Sequence, residues 1–294
     1  MTYYGATVRE RPIAVPLARR VILVVIDGLR PDAIERFNLS NLRRVANRGA
    51  STLTGQSVSP SYTTSCVASL MMGVSPSEHG VRTEGLSFPR NVSRIDTLPR
   101  AIASAGFQVS AFMGDIPVMV RGTAALLGRE LGFQSLTFNG RTSADIMTSV
   151  VHTLCSQRRG LIAMHFPDAD VAGHEHGWMS EAYGAATRRI DQSIGILDAL
   201  SGAAGGDTLL AIVADHGGGG HDARQHLGNH PLDLTIPILI AGRHIARCTL
   251  GNVSLLDIPP TILTALGIAV PRSYEGRVLS EAFETILAPS RVYA

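Results

Sequence analysis

Cysteine, aromatic residues and long apolar runs are all in short supply in this sequence. Its three cysteines among 294 residues (Cys66, Cys155 and Cys248) are odd in number and far apart. They argue against a disulfide framework and fit a reducing compartment. No apolar run approaches the ~20 residues needed to span a bilayer. Met1 to Arg20 carries charges, Pro12 and Pro16, but no apolar core of a secretory signal. A soluble, cytoplasmic protein with no membrane partner is therefore expected. Charge of one sign is lacking too: 26 Lys and Arg stand against 24 Asp and Glu, for a formal charge of +2. That balance leaves no electrostatic footprint for specific nucleic-acid binding. Repeats, low-complexity tracts and linkers are missing, so residues 1–294 read as a single domain. Oligomeric state is not readable from the sequence.

What is present begins with Val21-Ile-Leu-Val-Val-Ile-Asp27-Gly28-Leu29-Arg30-Pro31-Asp32. Six apolar, mostly β-branched residues read as a strand buried on both faces. Asp27 stands at its carboxyl end, where open α/β sheets place ligands. As an alternative, Asp27 merely caps the next helix. Further strands are predicted at 51–54, 107–113, 133–138, 161–166, 209–214 and 235–241. Helices are predicted at 31–48, after Thr63 or Thr64, and at 95–105, 144–157, 180–200 and 255–266. Residues 74–80, 82–94 and 117–129 read as loops. Strands alternating with helices imply an α/β fold with a mostly parallel central sheet and helices on both faces.

Three of the apolar strands end in acidic or acidic-histidine clusters: Asp27, the stretch Asp168 to His174, and Asp215-His216. A parallel sheet would gather these carboxylates along one edge, where they repel one another. Cations resolve that conflict. Mixed Asp and His donors favour zinc, with manganese or iron as alternatives. Asp170 and His174 are four apart, so one helical turn or a tight loop aims both at one ion. His221, His226 and His230 all lie in the following loop, and composition does not choose among them.

These segments resemble the alkaline phosphatase superfamily, and within it the type I phosphodiesterase/nucleotide pyrophosphatase group. The resemblance runs over Val21 to Gly80, Asp168 to Gly177 and Val213 to Gly242, and reappears at Asp257 to Gly267 and Glu275 to Leu279. It implies an alkaline phosphatase-like core without a large cap and a site for two divalent metal ions. Asp170 and His174 match the Asp-x-x-x-His pair of the first metal, and His226 its late histidine. Asp27, Asp215 and His216 match ligands of the second metal. Thr63 matches the metal-activated nucleophile, ten residues before Gly73 of a Gly-x-x-Pro-x-x-His-Gly pattern. Thr64 competes for that role, and the bland reading of Thr63 is a helix N-cap.

The implied activity is metal-dependent hydrolysis of a phosphate ester, a diester or nucleotide pyrophosphate, through a phosphothreonine intermediate. A phosphonoacetate-type carbon–phosphorus hydrolase and a phosphotransferase or mutase are the alternatives, with a non-catalytic metal-binding protein last. The partner is a small phosphate ester or phosphonate. Two departures bear on this. Cys66 stands where the diesterase branch usually carries Asn. Residues 80–160 leave little room for the cap that mutases insert. Thr63 also disfavours a sulfatase, which needs Cys or Ser there. Asp168, Glu175 and His176 flank the ligand pair as candidates to orient it or as surface charge. Trp178 stacks on a substrate or fills the core.

Overall fold

Every residue of the strand Arg20–Ile26 (β1) is buried, which requires cover on both faces of the sheet it joins. The computed structural model describes residues 16–85, 89–90, 92–203 and 207–284. Residues 1–15 of the N-terminal stretch, and 86–88 and 91 of the loop expected at 82–94, lie outside them. The other strands are β2 (Ala50–Gln56), β3 (Gln108–Met113), β4 (Ser135–Phe138), β5 (Gly160–Phe166), β6 (Thr208–Ala214), β7 (Thr235–Ala241) and β8 (Cys248–Thr249). They form one sheet in the order β4-β3-β5-β1-β6-β7-β2-β8. Neighbours are parallel except around β7, which runs antiparallel to both β6 and β2. The mostly parallel α/β architecture expected from the sequence is thus the observed one.

The helices are α1 (Ala33–Arg36), α2 (Ser40–Arg48), α3 (Thr63–Met72), α4 (Pro76–His79), α5 (Leu98–Ser104), α6 (Val118–Leu131), α7 (Ser143–Ser156), α8 (Asp168–His176), α9 (Glu181–Ala203), α10 (Pro231–Leu234) and α11 (Ile258–Ala265). α2 and α7 pack on α9 in one layer, while α3, α5 and α11 pack on one another in a second. α5 and α7 both cover β3 and β5, from opposite sides.

Three expectations need correction. The helix expected over 31–48 is two helices, because Asn38 takes a left-handed conformation with φ 54° and breaks it. Asn is among the few residues that tolerate this. The stretch 74–80 contains the short helix α4, started by Pro76 in its first turn. The stretch 117–129, read as loop, is mostly α6. Its start follows Pro117 and its end is Gly132 at φ 102°, a punctuation that the weak apolar periodicity inside obscured.

Candidate metal centre

The three apolar strands stop level with one another. Ile26 of β1 pairs with Phe166 of β5 on one side and Ala214 of β6 on the other. Asp27 and Asp215 are therefore equivalent first residues beyond adjacent strands, and both are buried. Gly28 makes the third contribution possible. It has φ 68°, and a Cβ there would sit 3.0 Å from the Asp170 backbone. Only glycine lets the chain leaving β1 lie against α8, which brings Asp170 to the strand ends. The pattern Asp170 to His174 is one turn of α8, so both side chains share a face.

All seven residues expected at the site come together here. His174 Nε2 lies 3.5 Å and His226 Nε2 3.7 Å from Asp170 Oδ1. His216 Nε2 lies 3.1 Å from Asp27 Oδ1 and 3.7 Å from Asp215 Oδ2. Thr63 Oγ1 stands between, 3.3 Å from Asp27 Oδ1 and 3.0 Å from His216 Nε2. Two of the donor sets close enough to hold a cation are Asp170, His174 and His226, and Asp27, Asp170 and His216.

The histidine rings share one orientation. Nδ1 of His174 faces the Arg224 carbonyl at 2.8 Å, Nδ1 of His216 the Gly217 carbonyl at 2.8 Å, and Nδ1 of His226 the Ser61 carbonyl at 2.7 Å. A carbonyl only accepts, so each Nδ1 carries the proton that it donates. In the neutral ring each Nε2 then presents a lone pair to the centre, the arrangement found in metal-ligating histidines. The loop histidines left open by composition divide on this geometry. His221 and His230 pack ring to ring at 5.0 Å, and His230 Nδ1 accepts from the Leu232 N–H.

Charge is poorly balanced by the protein alone. Burial, then the charges of Asp170 and Asp215, push the Asp27 carboxyl up to about 7. Burial would lower His216, but Asp215 and Asp27 outweigh it and push it up to about 10. His226 goes the other way, lowered by burial and by neighbouring His216. Among the described residues, the buried polar side-chain atoms without a hydrogen-bond partner include Asp170 Oδ1, Asp215 Oδ2 and His165 Nε2. Each such group costs about 1–3 kcal/mol. Their convergence on one spot, with carboxylates and imidazole Nε2 atoms as donors, fits divalent cations.

His165 was not anticipated. Its Nε2 lies 3.5 Å from Asp27 Oδ2 and 3.9 Å from Asp215 Oδ2, and the three form a further candidate donor set. Register explains it. His165 pairs with Val25, two residues before Asp27, so strand alternation puts both side chains on one face. The available signal was a lone polar residue inside the apolar run Leu161 to Phe166.

Other flanking residues do different work. Asp168 turns away, accepting from the Ser143 N–H at 2.6 Å and its hydroxyl at 3.2 Å at the start of α7. Glu175 and His176 are exposed. Trp178 is buried and donates through Nε1 to the Gly28 carbonyl at 2.9 Å, so it packs the site from behind. Cys66 is fully buried, with its thiol 3.4 Å from Ser57 Oγ. A buried thiol offers no replacement for the Asn amide that the diesterase branch usually carries there. The amino end of α3 does: Tyr62 precedes it and no side chain caps it, so its first N–H groups remain available to an anion. A cleft of about 380 Å³ opens over Thr63, Asp170 and His226.

Known proteins resemble this chain in part of its sequence or in its fold. The 2,3-bisphosphoglycerate-independent phosphoglycerate mutase 2 of Methanosarcina acetivorans is 30% identical over 139 residues, 46% of this chain and 26% of the relative. A 2,3-bisphosphoglycerate-independent phosphoglycerate mutase of Shewanella baltica is 30% identical over 143 residues, 47% of this chain and 26% of the relative. The match thus spans about a quarter of the length of these curated relatives. A phosphonate monoester hydrolase from Silicibacter pomeroyi superposes with a TM-score of 0.70 at 16% identity, covering 94% of this chain and 78% of that one. An inactive variant of a murine ectonucleotide pyrophosphatase/phosphodiesterase, in complex with AMP, superposes with a TM-score of 0.66 at 13% identity. It covers 86% of this chain and 96% of that one. The family model for type I phosphodiesterase/nucleotide pyrophosphatase matches residues 21–92 and 114–234, which hold all seven site residues. The chain therefore belongs to the type I phosphodiesterase/nucleotide pyrophosphatase family.

Proposed function

We propose that this protein hydrolyses a small phosphate ester, a diester or nucleotide pyrophosphate, through a phosphothreonine at Thr63. One observation carries the reading. The Thr63 hydroxyl lies among inward-facing imidazole Nε2 atoms and strand-end carboxylates, at the uncapped start of a helix. Asp170, His174 and His226 would hold one divalent ion, and Asp27, Thr63, Asp215 and His216 a second, with zinc best suited to these donors. When bound, such ions neutralise phosphoryl charge and acidify the threonine hydroxyl.

The remaining steps belong to the chain. Thr63 Oγ1 donates toward Asp27 Oδ1, and that carboxylate is placed to receive its proton. The Oγ1–P bond forms as the bond from phosphorus to the leaving oxygen breaks, and the leaving oxygen keeps the electron pair. The first N–H groups of α3 orient a phosphoryl oxygen. Water then attacks phosphorus; the P–Oγ1 bond breaks as the new P–O bond forms, Thr63 Oγ1 takes back the proton held by Asp27, and the phosphoryl product leaves with the water oxygen. Unpaired cysteines at 66, 155 and 248 support a cytoplasmic setting.

The mutase relatives favour a second reading, transfer of the phosphoryl group to an alcohol rather than to water. A panel of aryl phosphate monoesters, aryl diesters, nucleotide pyrophosphates and phosphonates tests both, run with and without an acceptor alcohol. The proposal expects release of free phosphate or nucleotide by the metal-loaded protein. Turnover of none of these classes would overturn it, and product appearing only on the alcohol would favour transfer.

A further inference from the structure

A second cavity, of about 620 Å³, opens beside the nucleophile, and Thr63, Thr64 and His165 line its inner end. Its size falls in the ~300–1,000 Å³ range of ligand pockets. Its walls are apolar: Val67 and Met71 of α3, Met113 of β3, Ala124 and Leu127 of α6, and Leu136 of β4. Its lining holds one Asp and one Arg: Asp115, which is paired with Arg121, and Arg141. α6 roofs this space instead of closing on it. Gly128 is the one buried residue of that 14-residue helix. Its inward side chains thus face the cavity, while Val118 and Met119 are 77% and 87% exposed. An apolar helix face held over an apolar cavity gains little unless something apolar fills it. Because Thr63 and Thr64 line both this cavity and the cleft over Asp170 and His226, a ligand with phosphorus at Thr63 can extend a substituent directly under α6.

We propose that the cavity between α3, β3 and α6 binds a long-chain alkyl substituent carried on the phosphorus, so that the substrate is an apolar-tailed phosphoester. This rests on the reading of Thr63 as the phosphoryl-accepting residue. It assigns substrate preference to residues outside the metal centre, and the chemistry at Thr63 is unchanged.

The test titrates the metal-loaded wild-type protein with n-alkylphosphonates from methyl to decyl, which have no ester leaving group. Each added methylene should tighten binding by about three- to fourfold until the cavity is full, from the usual gain per buried methylene. Ala124→Trp, which fills the cavity, and Leu127→Asp, which places a charge in it, should each flatten that slope and leave methylphosphonate affinity unchanged. Flat affinity across the series in the wild type overturns the proposal, as does an undiminished slope in both variants. Turnover of p-nitrophenyl methyl and p-nitrophenyl decyl phosphate, measured alongside, separates the two claims. A binding slope with no turnover of either ester removes the catalytic reading and leaves the pocket. Turnover of both esters with flat binding removes the pocket and leaves the catalysis.

Discussion

Replacing Thr63 by Ala distinguishes a nucleophile from a structural hydroxyl, because the structure separates the two costs. Tyr62, not Thr63, is the N-cap of α3, and no side chain supplies a capping bond there. The Thr63 hydroxyl spends its contacts on Asp27 Oδ1 at 3.3 Å and His216 Nε2 at 3.0 Å. Thr63→Ala thus removes no helix cap. The loss of two part-buried hydrogen bonds, about 0.5–1.5 kcal/mol each, is offset by the better helix propensity of Ala, roughly 0.5 kcal/mol. Net destabilisation should stay below about 2.5 kcal/mol. Turnover is a different matter. Removing an attacking oxygen should lower kcat by about 10³ to 10⁶, equivalent to about 4–8 kcal/mol in the barrier. Thr63→Ser should keep measurable activity. Thr64→Ala is the control, since its hydroxyl donates outward to the Thr83 carbonyl at 2.7 Å; its kcat should stay within about tenfold of wild type. The assay pairs kcat at saturating aryl phosphoester with urea unfolding and metal content on the same preparations. Quenched turnover of labelled substrate should leave phosphate on the peptide holding Thr63 in the wild type alone. A Thr63→Ala protein with kcat within tenfold of wild type would refute the reasoning.

Three further outcomes are expected. His226→Ala should lose one of two bound ions by elemental analysis, whereas His221→Ala and His230→Ala should keep both; equal loss in either control would contradict the assignment of the loop. Asp168→Ala should cost about 1–3 kcal/mol in urea unfolding, because it strands the Ser143 N–H at the start of α7, and should leave metal content unchanged; loss of an ion would make Asp168 part of the centre. His79 is buried neutral, with Nε2 against Ser69 Oγ at 2.9 Å and Nδ1 accepting from the Val81 N–H at 3.1 Å, and burial pushes it down to about 4. Below pH ~6.5 the unfolded chain takes up a proton that the folded chain refuses, so stability should fall between pH ~6.5 and ~4 by on the order of 3 kcal/mol and change no further through this group below that. His79→Gln should lose that part of the pH dependence; identical pH profiles for the two proteins would show that His79 does not contribute it.

The fold class and the strand-end carboxylates were legible in the sequence because their signals are local. An apolar run that stops at Asp27 or Asp215 reads as a buried strand and its carboxyl end whatever surrounds it. The one-turn spacing of Asp170 and His174 likewise carries its own geometry. The Gly-x-x-Pro-x-x-His-Gly pattern placed Thr63 by counting along the chain. Where local signals were ambiguous, the expectations went astray. Asn38 splits a helix through a single φ angle, and α6 lacks a clear apolar stripe because its inward face meets a cavity rather than the core.

The rest depended on residues distant in sequence meeting in space. β5, β1 and β6 become neighbours ending at one level only through sheet order and register, which no strand records on its own. That register turns His165 from one polar residue in an apolar run into a neighbour of Asp27 and Asp215. That His226, rather than His221 or His230, faces Asp170 belongs to the geometry of a loop, in which its Nδ1 meets the Ser61 carbonyl from 165 residues away. Thr63 and Thr64 differ by which way each hydroxyl points from the first turn of α3. Composition and periodicity thus determined that this chain is an α/β protein with acidic strand ends. Tertiary packing decided which side chains share a centre, because distances between strands and loops are set by the whole sheet rather than by any segment.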